Sequence, residues 1–463
     1  MSLWTAAEIA EATGGVASAD FTVTGVTFDS REVASGDLFI AMVGETMDGH
    51  RFVDGAMAAG AAGLIVDRDV PHPHVRVADT MAALEALGRA ARARTSATVI
   101  GVTGSVGKTG TKEALAAALD RDCPGEVHRS VKSYNNHTGV PLSLARMPRD
   151  ARYAVLEMGM NHAGEIAALT RMVRPHIALV TTIAPAHIEN LGSIEAIADA
   201  KAEIFEGLEP GGVAVLPYDS AQHDRLRAAA ERPGARIVTF GTREGADVRA
   251  LDWVGDPDTG GSLVTAQVHD ATLCFALSQP GDHWVGNAMG VLAAVQAAGA
   301  DLNAAGVALA DLPGMAGRGA RHQLAVDGGE ALLIDESSNA NPASMAATLA
   351  NLGHIAAGRR LAVLGAMKEL GEQGAQLHAD LAAPIAAARV DRLWLVGDEM
   401  TPLAEALRAL PLERRPEFDH GADVESVLAA LRETLRPDDV LLIKGSNSVG
   451  LGRLVTALTG EDG

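Results

Sequence analysis

Residues 98–119 read TVIGVTGSVGKTGTKEALAAAL: a β-branched run, a glycine-rich turn ending in Gly107-Lys108-Thr109, then an Ala/Leu-rich stretch. That order predicts strand, loop and helix. Together they make a phosphate cradle, because turn N–H groups and the positive end of a helix face the anion. A lysine at position 108 reaches outer phosphates, and the Thr109 hydroxyl is placed to ligate a divalent cation. The glycines fall at Gly101, Gly104 and Gly107, while Val102 stands where the usual first glycine would be, so the spacing is a variant. A surface turn rich in Gly and Lys is the rival reading. The ordered strand, loop and helix favour a site for a nucleotide triphosphate.

The rest of the chain bounds what surrounds that cradle. With 463 residues, 48% hydrophobic and 21% charged, it is too long for one core and suits about three domains. A formal charge of −21, from 38 basic and 59 acidic residues, opposes general affinity for nucleic acid or an anionic membrane. Cys123 and Cys274 are the only cysteines, so neither a disulfide framework nor a zinc knuckle is expected. The opening MSLWTAAEIAEATGG is acidic where a signal peptide is basic, and no apolar run reaches membrane-spanning length. The expectation is a soluble cytoplasmic protein.

Changes of texture divide the chain into residues 1–94, 95–314 and 315–463. The first mixes short strands (Phe21–Thr27, Asp37–Val43, Gly63–Val66) with Ala-rich helices and ends in a helix over Ala82–Arg94. This reads as a small α/β domain. In the second, strands at Ala154–Glu157, Ile177–Ile183 and Val213–Leu216 alternate with helices, predicting a parallel sheet covered on both faces. After the segment GMAGRGARH, strands at Ala331–Asp335, Arg360–Leu364, Arg392–Val396 and Val440–Lys444 alternate with helices as in a dinucleotide fold. The fold class is therefore α/β, in three domains, with no internal repeat.

Chemistry in such sheets gathers at the carboxyl ends of strands. Glu157 closes one strand and His187 follows another, a carboxylate and an imidazole suited to a metal-bound triphosphate. On spacing alone each reads as a strand-end hydrogen-bonding group rather than a ligand. Lys201, on a helix expected over Ser193–Phe205, lies among Glu195, Asp199 and Glu203 and reads on spacing alone as a solvated ion-pair partner. Asn135 and Asn136, before Gly139-Val140-Pro141, either shape a turn or hold a substrate.

The succession TGSVGKT, YNNHTGVP, LEMGMNHAGEI, APAHIENLG with KAEIF, GDHWVGNA, GRGARH, DESSNANPASM and KGSNS resembles, in order and along the whole chain, the Mur ligase family of peptidoglycan synthesis. Its opening pattern DSREVASGDLFIAMVGETMDGHRF is similar to members that add the third residue or the terminal dipeptide of the stem peptide. DESSNANPASM, and the absence of an Asp-Asn-Pro-Arg signature, favour the dipeptide-adding branch. The resemblance implies an ATP- and Mg²⁺-dependent ligase that joins D-alanyl-D-alanine to a UDP-MurNAc-tripeptide through an acyl phosphate. Its expected partners are those small molecules, with neither nucleic acid nor membrane insertion.

Carried over residue by residue, the resemblance puts ATP on Gly104, Ser105, Val106, Gly107, Lys108, Thr109 and Gly110, with His283, Trp284, Asn287 and Arg318 around the nucleoside. Thr109, Glu157, His187 and a carbamylated Lys201, formed from CO₂, would serve the metal; Lys108, Lys201 and His187 make the catalytic set. Ser30, Arg31, Gly44, Asp48 and His50 would meet the UDP end, with Asn135, Asn136 and Thr138 on the sugar-peptide. Asp335, Asn339, Asn341, Lys444 and Ser446 are the expected dipeptide contacts. The chain departs from the family pattern at Val106, a loop position usually polar; at Trp284, where Asn is common; at Ser338, where Tyr is common; and at Asn447, where Arg is expected. Trp284 either offers adenine the stacking face that Ser338 lacks or packs in the core. Arg31 reads equally as a surface ion-pair partner. Two rival functions remain: a Mur or folylpolyglutamate type of ligase with another acceptor, and a non-catalytic nucleotide-binding protein.

Overall fold

The computed structural model describes residues 2–44, 47–185, 188–256 and 260–460. The central sheet has nine strands in the spatial order Val127–Arg129, Tyr153–Glu157, Thr98–Thr103, Ile177–Val180, Val213–Pro217, Arg236–Gly241, Val248–Gly255, Ser262–Val268 and Ala271–Leu277. The first seven run parallel and the last two are added antiparallel. The parallel strands carry near-continuous apolar runs because both faces are covered. Ile100, Val102, Val155, Ile177 and Val215 pack with the helices Lys108–Asp122 and Asp282–Ala297, while Val99, Leu156, Val180 and Leu216 pack with the helix Glu165–Val173 and the segment around Phe205. Each such side chain, fully buried, contributes about 1.5–3 kcal/mol.

The antiparallel hairpins at one edge correct the expectation of an all-parallel central sheet. Their strands alternate buried and exposed residues, the pattern of a sheet covered on one face only. The expected strand Ile177–Ile183 ends at Val180, and the expected helix Ser193–Phe205 is an α-helix over Ile194–Ala202, capped by Ser193 and followed by a 3-10 turn over Glu203–Gly207.

A smaller five-stranded sheet precedes it, with Gly25–Thr27, Asp37–Ile40, Gly63–Val66 and His74–Arg76 parallel and Val16–Ala17 antiparallel at the edge. The expected strand Phe21–Thr27 is broken in two, Thr22–Val23 pairing instead with Trp4–Thr5. The helix Thr80–Arg94 packs on this sheet and on the helix Gly139–Ala145, so the apolar core here is shared with the central region through Leu142 and Ala145.

The third sheet, of six strands, is ordered Ala320–Val326, Gly329–Glu336, Asp439–Lys444, Arg359–Gly365, Arg392–Val396 and Glu417–Ala422, parallel except for its first hairpin. Its carboxyl edge and that of the central sheet face one cleft. Among the described residues, no helix is long and apolar enough to cross a membrane.

Candidate active site

The cradle forms as its sequence demands. The strand Thr98–Thr103 runs into a loop whose Gly104 has φ 149° and whose Gly107, at φ 84°, starts the helix Lys108–Asp122. Both backbones lie where L side chains are strained. A Cβ on Gly104 would also collide with Thr181 Oγ1, and one on Gly107 would press on Asn287 Oδ1 at 3.0 Å. The loop is pinned from below: Ser105 N–H donates to Thr182 O at 2.7 Å and Thr181 Oγ1–H to Val106 O at 2.6 Å. Val106 therefore binds through its backbone, which explains why an apolar side chain is tolerated there.

Lys108 folds back so that its ammonium donates to Gly104 O at 2.8 Å. Desolvation inside the loop lowers its pKa, Glu157 acting the other way. The cradle opens on a cavity of about 470 Å³ lined also by Thr109, Gly110, Asn135, Asn136, Glu157, His283, Trp284, Asn287, Arg318, Asn339 and Lys444. Residues far apart in sequence, from the central and third sheets, thus converge on one space. Arg318 reaches it from the segment between those sheets, donating to Ser133 Oγ at 3.3 Å.

Two buried groups have unused valences. Glu157, 1% exposed, accepts from Asn135 Nδ2 at 2.7 Å through Oε1, while its Oε2 has no partner. Lys201 is fully buried and its Nζ has no partner either. The reading of Lys201 as a solvated ion-pair lysine is overturned, because its acidic neighbours are engaged elsewhere. Asp199 pairs with Arg225 at 2.9 Å, and Glu203 accepts from the N–H groups of Gly164 and Ala167. Desolvation, then repulsion from Lys108, pushes the Lys201 pKa well below its ordinary value. His187 lies outside the described residues. Among those described, no three His, Cys, Asp or Glu side chains form a metal cluster.

Trp284 is 7% exposed and belongs to the central core, its Cη2 lying 2.8 Å from where a Cβ on Gly110 would be. Burial of the indole against the first turn of the cradle helix favours the core reading, although Trp284 also lines the cavity. Its position keeps residue 110 a glycine.

Several expected contacts are engaged in local structure outside the cavity lining. Asp335 accepts from Ser337 N–H and Oγ–H and from Gly317 N–H at 2.5 Å, shaping the junction that carries Arg318. Asn341 caps the helix Pro342–His354 in a box with Ser344, and Ser446 Oγ accepts from Lys368 N–H. Thr138 bonds to Asn136 Oδ1, which also accepts from Gly139 N–H. In the first domain Arg31 pairs with Asp29 at 2.6 Å, which brings the Asp29 pKa down to about 2. Asp48 accepts from His50 N–H at 2.9 Å and from its ring at 2.6 Å, and is held at about 2. Gly44 closes a turn onto Met47 O, and Ser30 is half-buried. None of these five lines the cavity.

The cavity includes polar residues that sequence reasoning missed: Asn161 and Glu165 after the strand ending at Glu157, and Glu336, whose Oε2 accepts from Lys444 Nζ at 3.1 Å. Side chains alternate along a strand. Asp335 and Glu336 therefore point opposite ways, and it is Glu336 that faces the cleft.

Comparison with known proteins meets this geometry at the cradle and at both flanking sheets. Three family models match: "Mur ligase family, catalytic domain" over residues 22–123, "Mur ligase middle domain" over 102–295, and "Mur ligase, glutamate ligase domain" over 320–447. The chain belongs to the Mur ligase family. Among curated Mur ligases it is 38% identical to a UDP-N-acetylmuramoyl-tripeptide–D-alanyl-D-alanine ligase of a Synechocystis strain, covering 96% of this chain and 94% of that one. It is 34% identical to the Escherichia coli protein of the same name, covering 96% of each. Among solved structures it resembles MurF from Acinetobacter baumannii, with TM-score 0.82, 30% identity and 99% of both chains covered. It also resembles MurF ligase from Thermotoga maritima in complex with ADP, with TM-score 0.76, 27% identity, and 95% and 98% covered.

Proposed function

We propose that this Mur ligase joins D-alanyl-D-alanine to the terminal carboxylate of UDP-MurNAc-tripeptide at the expense of ATP. The observation that carries it is the convergence of the Gly104–Gly110 cradle, Glu157 and the Glu336–Lys444 pair on one cavity, in a chain similar over nearly its full length to ligases of that name. Residues 1–94, 95–314 and 315–463 are assigned to UDP-sugar, ATP and acceptor binding respectively.

A carboxylate is a poor electrophile. One of its oxygens attacks the γ-phosphorus of ATP, the Pγ–O bond to the β-phosphate breaks, and ADP leaves with that electron pair. The product is an acyl phosphate. Lys108 and the N–H groups of the loop hold the phosphates in line and meet the charge as it moves. The deprotonated amine of the dipeptide then attacks the acyl carbon, the C–N bond forms, and inorganic phosphate departs with the C–O electrons and the proton that the amine nitrogen gives up. Arg318, carried on the junction to the third sheet, holds the nucleotide as the cleft excludes water from the acyl phosphate. Lys444 and Asn339 stand on the acceptor side.

The residues around the cradle fit a divalent cation. Thr109 offers a hydroxyl and Glu157 an unpartnered carboxylate oxygen, and Mg²⁺ bound to phosphates takes only one or two protein ligands. When bound, Mg²⁺ supplies charge neutralisation of the phosphates. Lys201 fits carbamylation: a buried amine with a depressed pKa is neutral and nucleophilic, adding CO₂ with loss of one proton to become an anion. That conversion would turn a neutral buried amine into an anion near Glu157 and Lys108, suited to help hold a divalent cation. His187 joins this set by resemblance.

ADP release with UDP-MurNAc-tripeptide tests the reading, with D-Ala-D-Ala, single amino acids or no acceptor added. The dipeptide raises release more than about tenfold over the other conditions. Release indifferent to the acceptor overturns the assignment.

A further inference from the structure

Lys112 has no part in the chemistry above, yet its ammonium is fully buried one turn beyond Lys108 on the cradle helix. It donates to Ser130 O at 2.8 Å and to Lys132 O at 2.7 Å, and pairs with Glu113 Oε1 at 2.8 Å. Two of those acceptors are backbone carbonyls of one short loop. Lys132 sits there at φ 52°, a left-handed conformation that a non-glycine residue adopts only when its surroundings hold it.

That loop touches the first domain, the central sheet and the junction to the third sheet. Lys132 Nζ pairs at 2.5 Å with Glu32, which follows the Ser30-Arg31 pair of the first domain, and Tyr134 Oη–H donates to the same carboxylate at 3.1 Å. Ser133 Oγ accepts from Arg318 of the junction to the third sheet. Asn135 donates to Glu157, and its carbonyl accepts from Gly159 N–H at 2.8 Å. Ser130 Oγ accepts from Glu157 N–H at 3.1 Å.

We infer that Lys112 is a positioning residue that ties the ATP cradle to the loop Ser130–Asn136 and, through that loop, sets where the tripeptide carboxylate lies against the γ-phosphate. This rests on the ligase reading above. Lys112 contacts neither reactant; it fixes the carbonyls from which Asn135 and the Glu32 contact are hung. The cradle has its own anchors in Thr181 and Thr182, so ATP binding does not depend on this tie.

The test compares wild type, Lys112→Met, Lys112→Arg and Glu32→Gln in the full-length enzyme, by steady-state ADP release and by equilibrium binding of ATP and of UDP-MurNAc-tripeptide. Lys112→Met raises KM and Kd for the tripeptide about tenfold or more while those for ATP stay within about twofold, and Lys112→Arg recovers part of the loss. Glu32→Gln, a milder change on a partly exposed side chain, shifts the tripeptide constants in the same direction and keeps the inference falsifiable if Lys112→Met does not fold. Equal loss for both substrates, or unchanged tripeptide binding in the folded variants, overturns it. Wild-type enzyme without acceptor-dependent ADP release overturns the ligase reading instead, and this inference with it.

Discussion

A buried amine without a hydrogen-bond partner destabilises a fold, and Lys201 is such an amine. An unpartnered buried polar group costs about 1–3 kcal/mol. Its lowered pKa works in the same sense: the unfolded chain binds the proton more readily, so this group opposes folding at neutral pH, and the opposition fades as pH rises toward the ordinary lysine value. Lys201→Met therefore leaves the melting temperature unchanged or higher while turnover falls more than about a hundredfold. Thermal melts beside ADP-release rates check it; a destabilised variant that keeps its turnover contradicts the carbamate assignment. Legibility ends unevenly at this scale. Glycines at 104 and 107 were readable because backbone conformation leaves a direct mark on residue choice. Burial of Lys201 and Lys112 was not, since each lies among charged neighbours that imitate a solvated helix face.

Elements were legible where period and length were distinctive. The strand Arg392–Val396 and the strand-loop-helix of the cradle stand where periodicity puts them. The hairpin Ser262–Val268 with Ala271–Leu277 went unread, although its alternation marks a one-faced sheet: its turn carries His269 at φ 49° and Asp270 rather than an Asn-Gly pair. Capping residues are also named as ligand contacts for a related reason, because Asn and Ser side chains serve backbone and substrate equally well. Asn341→Ala decides one case. Losing the capping box of the helix Pro342–His354 costs about 1 kcal/mol in urea titration, with KM for D-Ala-D-Ala unchanged. A raised KM at unaltered stability would make Asn341 a dipeptide contact after all.

The three sheets of the whole molecule give the cavity its meaning. Cradle, loop and strand ends come from regions separated by hundreds of residues, and only their packing brings Glu336 and Lys444 opposite Lys108. Sequence order alone carries no such distances, which is why Glu336 was passed over for its neighbour Asp335 and why Arg318 could be named but not placed. Resemblance supplied the cast of residues; tertiary packing sorted those facing the cleft from those engaged in turns and caps. With one cavity lined by both the phosphate cradle and the proposed acceptor residues, the account requires the peptide carboxylate itself to receive the γ-phosphoryl group. Tripeptide labelled with ¹⁸O in its terminal carboxylate, incubated with ATP, D-Ala-D-Ala and enzyme, measures this directly by mass spectrometry of the released phosphate. The account predicts one labelled oxygen in each inorganic phosphate; unlabelled phosphate accompanying peptide-bond formation would contradict it.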